Sequence, residues 1–144
     1  MSIQQGKLTY RGTVYPWHCD HMGHMNVAWY VAKFDEASWN FFHDIGITHK
    51  YTLEQHKGTA AVQQNISYLG ELGPGNVIDI FTHVTSFGEK KIVFSHEMTE
   101  RATGRIVARA EMTVVHLDLK LRKSCKLSDA SLSILASWAS NDGK

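Results

Sequence analysis

The sequence predicts an α+β domain in which an antiparallel sheet of five strands curls round one long helix, with a short helix closing the C-terminus. Two observations carry this expectation. One long apolar pattern with helical spacing covers residues 26–45. Four segments that alternate in the manner of strands follow it, separated mainly by turn residues, and a fifth precedes it.

Residues 8–15 form the first alternating run, and Pro16 removes a backbone donor where its ladder should stop. A polar loop follows. Within 26–45 the residues Val27, Tyr30, Val31, Phe34, Ala37, Ser38, Phe41 and Ile45 recur at steps of three and four. Trp29, Ala32, Trp39 and Phe42 widen that stripe, leaving Lys33, Asp35, Glu36, Asn40, His43 and Asp44 as the clearly polar positions. Such a helix should be enclosed on most of its circumference. Gly46 supplies a stop.

Residues 48–58 are polar and irregular, which reads as a loop or short turn segment. The β-rich runs 60–68 and 77–87 are parted by Gly70-Glu71-Leu72-Gly73-Pro74-Gly75. Gly88-Glu89-Lys90 turns the chain into 91–99, where Ile92, Phe94, His96 and Met98 alternate with Val93, Ser95 and Glu97. Ala102-Thr103-Gly104 makes a tight hairpin into the long strand 105–119. Ser128-Asp129-Ala130 offers the cap of a closing helix through Leu132, Leu135 and Trp138. No internal repeat or linker interrupts the chain, so residues 1–144 are expected to form one domain.

At 144 residues the chain can bury a core, yet association would add useful burial. A formal charge of +1 gives no broad basic field, which argues against nucleic acid as a partner. No apolar run approaches the roughly 20 residues of a membrane span, and residues 1–5 lack the features of a signal peptide. The expected location is the cytoplasm, with no membrane partner. Cys19 and Cys125 lie far apart and outside any Cys-x-x-Cys pair, which predicts reduced thiols. Cys19 follows His18, but neighbours on an extended segment point in opposite directions, which disfavours a Cys-His nucleophile.

The chemistry concentrates in residues 17–30, where a carboxylate, several imidazoles, a thiol and a glycine run directly into the long helix. An acid beside a helix start sits near the positive end of the dipole, and the free amides there can grip an anion or a polarised carbonyl. On composition alone Asp20 would be read as a cap. Gly23 suits a tight turn that leaves room for a substrate. His24 and Asn26 can hydrogen-bond a carbonyl, orient water or fix Asp20, and Asn26 is also a good N-cap. His18, His21 and His24 with Cys19 and Asp20 form an inventory for zinc. Pro16 and Gly23 suggest a loop rather than a helix face here, so no metal and no cofactor are expected.

Asp20, then Gly23-His24-Met25-Asn26, then Tyr30 on the opening turns of the helix, resemble the signature loop of the acyl-CoA thioesterases of the hotdog fold, the 4-hydroxybenzoyl-CoA thioesterase-like family. The likeness runs through nearly the whole chain to Val115-His116-Leu117-Asp118-Leu119 and its basic tail. It implies hydrolysis of an acyl-CoA thioester with Asp20 as nucleophile or general base, and the amides of Met25, Asn26 and Val27 as oxyanion donors. It also implies a homodimer or homotetramer.

An acyl pocket is expected beside Tyr30 and Phe34. The first strand after the helix would contribute Gln63, Asn65 and Ser67, or else Gln64, Ile66 and Tyr68, whichever set faces inward. Coenzyme A phosphates call for cations at a rim, and Lys90, Lys91, Arg122 and Lys123 are the candidates. Two departures from related patterns stand out: Met22 occupies the place of an Asn found in plant acyl-carrier-protein thioesterases, and Val27-Ala28-Trp29-Tyr30 lacks a His common in a bacterial short-chain branch. The first favours Asp20 as the principal group, and the second leaves no residue to take over the role of that His. The rival readings are a hotdog hydratase or dehydratase acting on enoyl-CoA, and a module that binds acyl-CoA without cleaving it.

Overall fold

The computed structural model describes residues 6–139. The N-terminal residues 1–5, on which the expectation about a signal peptide rests, lie outside them. Strand β1 (Lys7–Thr13) leads through a single 3-10 turn (Pro16–His18) to helix α1 (Val27–Asp44). Helix α2 (His49–Gln55) precedes four long strands, β2 (Lys57–Tyr68), β3 (Val77–Phe87), β4 (Lys91–Glu100) and β5 (Ile106–Asp118). A two-residue strand β6 (Lys123–Ser124) and helix α3 (Asp129–Ala139) complete the described chain.

The α+β class and the antiparallel sheet agree with the sequence pattern. Five strands run in the order β1-β3-β4-β5-β2, and β6 adds a sixth against β5. Register breaks interrupt every long ladder, leaving Thr9, Val62, Thr85 and Val107 without register partners. Such bulges bend strands and increase their twist, which curls the sheet round α1. Ile78, Ile80, Ile92, Phe94, Met98, Ala110, Met112 and Val114 are all buried on the face that meets the helix. Phe41 joins the layers, with ring centroids 4.7 Å from Phe94 and 4.9 Å from Trp138 of α3.

Three differences from the sequence reading have physical causes. Helix α1 is not enclosed on most of its circumference: Tyr30, Phe34, Ala37 and Phe41 are buried, whereas Trp39 is 56% exposed and Val27 53%. The wide apolar stripe includes side chains that the chain's own sheet does not reach. Residues 48–58 contain α2, held by the Thr48 side chain accepting from the Tyr51 amide at 3.0 Å. No residue of α2 is buried, so there was no periodic apolar signal to find. The third difference is Lys33, polar in sequence yet only 4% exposed.

The ends of the helices are stitched together. The Ser131 hydroxyl on α3 donates to the carbonyl of Ile45 at 2.7 Å, and Gly46 takes the left-handed φ of 95° that stops α1. A buried polar chain pins α1 to the sheet. Thr9 and Thr82 hydroxyls meet at 2.7 Å, Thr82 Oγ1 lies 2.7 Å from His96 Nδ1, and His96 Nε2 lies 2.9 Å from Ser38 Oγ. Because the Ser38 hydroxyl donates to the carbonyl of Phe34, it accepts from Nε2–H, and Nδ1 accepts from Thr82.

Candidate functional site

The loop that carries Asp20 is fixed at both ends by backbone hydrogen bonds. The Asp20 amide donates to His24, the Gly23 amide to Asp20, and the Met25 amide crosses to Leu72 at 2.7 Å. Gly23 has φ of 86°, a left-handed value that strains other residues, and a side chain there would meet open space. This loop delivers the Asp20 carboxylate to the start of α1. One carboxylate oxygen accepts from the Met22 amide at 2.9 Å and the other from the Asn26 side-chain amide at 3.0 Å.

Asn26 therefore works twice. Its Oδ1 accepts from the Ala28 amide at 2.9 Å as the helix cap, while its Nδ2 orients Asp20. The Asn26 donor, then the Met22 amide, hold the Asp20 carboxyl below the usual carboxylate range, so it is ionised at neutral pH.

The carboxylate opens onto a cleft of about 680 Å³ lined by Met25, Val27, Tyr30, Tyr68, Leu69 and Gly70, among others. Tyr30 is anchored there, its hydroxyl donating to the Gly70 carbonyl at 2.9 Å and its ring edge-to-face with Tyr68 at 5.3 Å. His24 turns to Glu71 across the mouth, Nε2 to Oε1 3.4 Å, rather than to Asp20.

The structure narrows the expected oxyanion donors. The amides of Met25 and Asn26 are occupied by the carbonyls of Leu72 and His18, and that of Ala28 by the Asn26 cap. Val27 sits at the first position of the helix, where an amide has no intrahelical acceptor, and among the described residues none is supplied from elsewhere. Asp20, Gly23, His24, Met25, Asn26, Val27 and Tyr30 thus come together as the sequence suggested.

Other candidates do not join them. Phe34 is fully buried and stacked on His96, with centroids 5.6 Å apart, so it is core and not pocket wall. Asn65 pairs with Glu111 on the face of the sheet away from α1, where it lines a separate polar hollow. Ile66 and Tyr68 form the inward set. Lys90, Lys91, Arg122 and Lys123 lie at the far end of the sheet. Lys91 pairs with Val115, whereas the cleft residue Gly70 is bound to Val107; eight residues of strand separate these points by about 26 Å. Gly70 and Glu71 read only as turn punctuation and Leu69 falls between the expected strand and that turn, so none of the three pointed to the cleft. The potential zinc residues do not converge, and no group suited to a metal occurs among the described residues.

A family model described as the thioesterase-like superfamily matches residues 14–135. The chain belongs to this superfamily. It is 30% identical over 105 residues to an L-carnitine dehydrogenase/betainyl-CoA thioesterase of Rhizobium meliloti (strain 1021), covering 73% of this chain and 21% of that protein. A protein of the same description from Rhizobium sp is 28% identical over 116 residues, covering 81% and 23%. The chain thus spans less than a quarter of the length of these curated relatives. Among solved structures, a hypothetical protein from Staphylococcus aureus in complex with CoA shares the fold with a TM-score of 0.90 at 19% identity, over 100% of this chain and 91% of that one. A 1,4-dihydroxy-2-naphthoyl-CoA thioesterase from Synechocystis gives 0.80 at 17% identity, over 91% and 96%. The superfamily member has the hotdog architecture expected from its sequence.

Proposed function

We propose that this superfamily member hydrolyses an acyl-CoA thioester to the free acid and CoA, with Asp20 as the reacting carboxylate. The observation that carries the reading is the ionised Asp20, locked by Asn26 and Met22 beside a cleft that also holds the unengaged Val27 amide. Asp20 either attacks the carbonyl carbon or removes a proton from the water that does. In both cases the carbonyl oxygen gains negative charge that the Val27 N–H stabilises, the C–S bond breaks, and CoA leaves as the thiolate; where Asp20 itself attacks, a water then hydrolyses the mixed anhydride, releasing the acid and restoring the carboxylate. Tyr30, Tyr68 and Met25 give the acyl group a mainly apolar wall with an aromatic edge. No metal or cofactor is needed for this step. The acyl-CoA is the small-molecule partner, and residues 1–144 act as one domain.

A homodimer, or a tetramer built from it, accounts for the distant cations. The outer edge of β2 is unpaired among the described residues, and Val62 on it is 59% exposed. Two such edges joined about a two-fold axis run antiparallel. The end of one chain carrying Lys57 and the neighbouring basic residues then meets the Asp20 end of the other, where CoA phosphates need charge. No helix of the described chain is long and apolar enough to cross a membrane, and the cytoplasm is the proposed place of action.

The test is release of free thiol from a panel of acyl-CoAs varying in chain length and ring content. Turnover of at least one supports the reading. Saturable binding with no thiol released would leave a binding module instead, and water addition to enoyl-CoA would indicate a hydratase.

A further inference from the structure

A second hollow lies on the other side of α1, between that helix and β1. It has a volume of about 420 Å³, and its walls include Tyr10, Tyr15, Trp17, His18, Trp29 and Lys33. It shares no lining residue with the Asp20 cleft. Tyr15 and Trp17 stack in parallel, 4.5 Å apart with planes 6° from coincident, and His18 packs against Trp29 at 4.5 Å. The three large side chains at the mouth remain open: Trp17 is 66% exposed, Tyr15 46% and Trp29 38%.

The floor of this aromatic hollow is cationic. Lys33 is 4% exposed, and its ammonium donates to the Tyr10 hydroxyl at 3.1 Å while standing 5.3 Å from the Tyr10 ring centroid. An ammonium has three donors, and among the described residues only one here finds an acceptor. Glu36, one turn along the helix, is exposed and acts on Lys33 through its charge without forming an ion pair. Burying a cation this incompletely partnered is costly unless something else completes its shell. His18 adds a second donor. Its Nδ1 accepts from the Tyr15 amide at 2.9 Å, so the neutral ring carries its proton on Nε2. Burial first, and then the charge of Lys33, keep that ring neutral by lowering its pKa. Gly12 makes the arrangement possible, since a Cβ there would lie 2.5 Å from the Tyr10 hydroxyl oxygen.

Two buried N–H donors, one of them charged, beneath a rim of flat rings make a complement to one kind of ligand. We propose that this hollow is a second binding site, for a small carboxylate carrying a flat apolar body, with Lys33 as its anchor. The carboxylate takes the free ammonium donors and the His18 Nε2–H, and the apolar body lies between the Tyr15/Trp17 pair and Trp29. The site does not depend on what the Asp20 cleft does.

Calorimetric titration of the whole chain with phenylacetate and its neutral isostere phenylacetamide tests this. Phenylacetate should bind saturably at one site per chain, and phenylacetamide at least roughly tenfold more weakly, as loss of a charge-assisted hydrogen bond implies. Lys33→Met should weaken phenylacetate by roughly ten- to hundredfold, and Trp17→Ala by about two- to tenfold through loss of a ring contact. Asp20→Asn should leave the affinity unchanged, which separates this site from an acid sitting in the Asp20 cleft. Equal binding of the two probes, no saturable binding, full affinity in a folded Lys33→Met chain, or loss of binding in Asp20→Asn would each overturn the assignment. Should Lys33→Met fail to fold, the two-probe comparison on the unaltered chain still decides.

Discussion

Replacement of His96 by glutamine should change how stability depends on pH. His96 is fully buried, and that burial pushes its pKa down to about 3 from an ordinary value of 6.5. The folded chain therefore keeps the ring neutral while the unfolded chain protonates it as pH falls through 6.5. The unfolded state binds the extra proton, so His96 removes stability progressively below pH 6.5, down to about 3. At pH 5 the loss amounts to about 2 kcal/mol, at 1.36 kcal/mol per pKa unit. A glutamine side chain in its place cannot take up this proton. His96→Gln should cost stability at pH 8, because the link from Thr82 to Ser38 loses its geometry. That deficit should shrink by about 2 kcal/mol at pH 5. Urea unfolding of both chains at the two pH values measures the difference directly. His18 and His116, also lowered first by burial, shift in the same direction in both chains and so cancel. A deficit that stays constant between pH 8 and pH 5 would refute the neutral buried His96.

Two further outcomes follow from the site. Asn26→Ala removes the helix cap, at about 0.5–2 kcal/mol of stability, and releases Asp20. The carboxyl pKa then rises, so the acid limb of the pH–rate profile should move to higher pH relative to the unaltered chain; an unmoved limb with normal kcat would mean that Asn26 does not set Asp20. Phe34→Ala should cost about 3–5 kcal/mol in unfolding free energy, with losses spread evenly over acyl-CoA chain lengths. A length-selective change in KM from a still-stable Phe34→Ala protein would place Phe34 in the pocket after all.

The long helix and the four main strands after it were legible because periods of three to four and of two are imposed by burial on one face. Even His96 could be placed inward, on the same face as Ile92, Phe94 and Met98. Periodicity reports which side chains share a face, but not what covers that face, so Trp29 and Trp39 looked enclosed and are open. Lys33 illustrates the converse: a polar letter on the pattern, yet buried, because Tyr10 from β1 reaches over it. Asp20, Gly23, Asn26 and Tyr30 were legible as a cluster since they are close in sequence and the helix start fixes them.

Residues joined only by the sheet were not. The choice between Asn65 and Tyr68 depends on the bulge at Val62 and the register with β5, neither of which leaves a local mark. The distance of Lys90, Lys91, Arg122 and Lys123 from the cleft follows from strand length and direction, which composition does not encode.

The role of Asp20 is most directly tested by a single turnover of phenylacetyl-CoA, or of whichever acyl-CoA the panel selects, by Asp20→Asn. The side chain keeps its shape and can still hydrogen-bond locally, but it loses the negative charge. Thiol release should slow by about 10²-fold or more while acyl-CoA affinity stays near that of the unaltered chain. Thiol release at the original rate would contradict the central role assigned to this carboxylate.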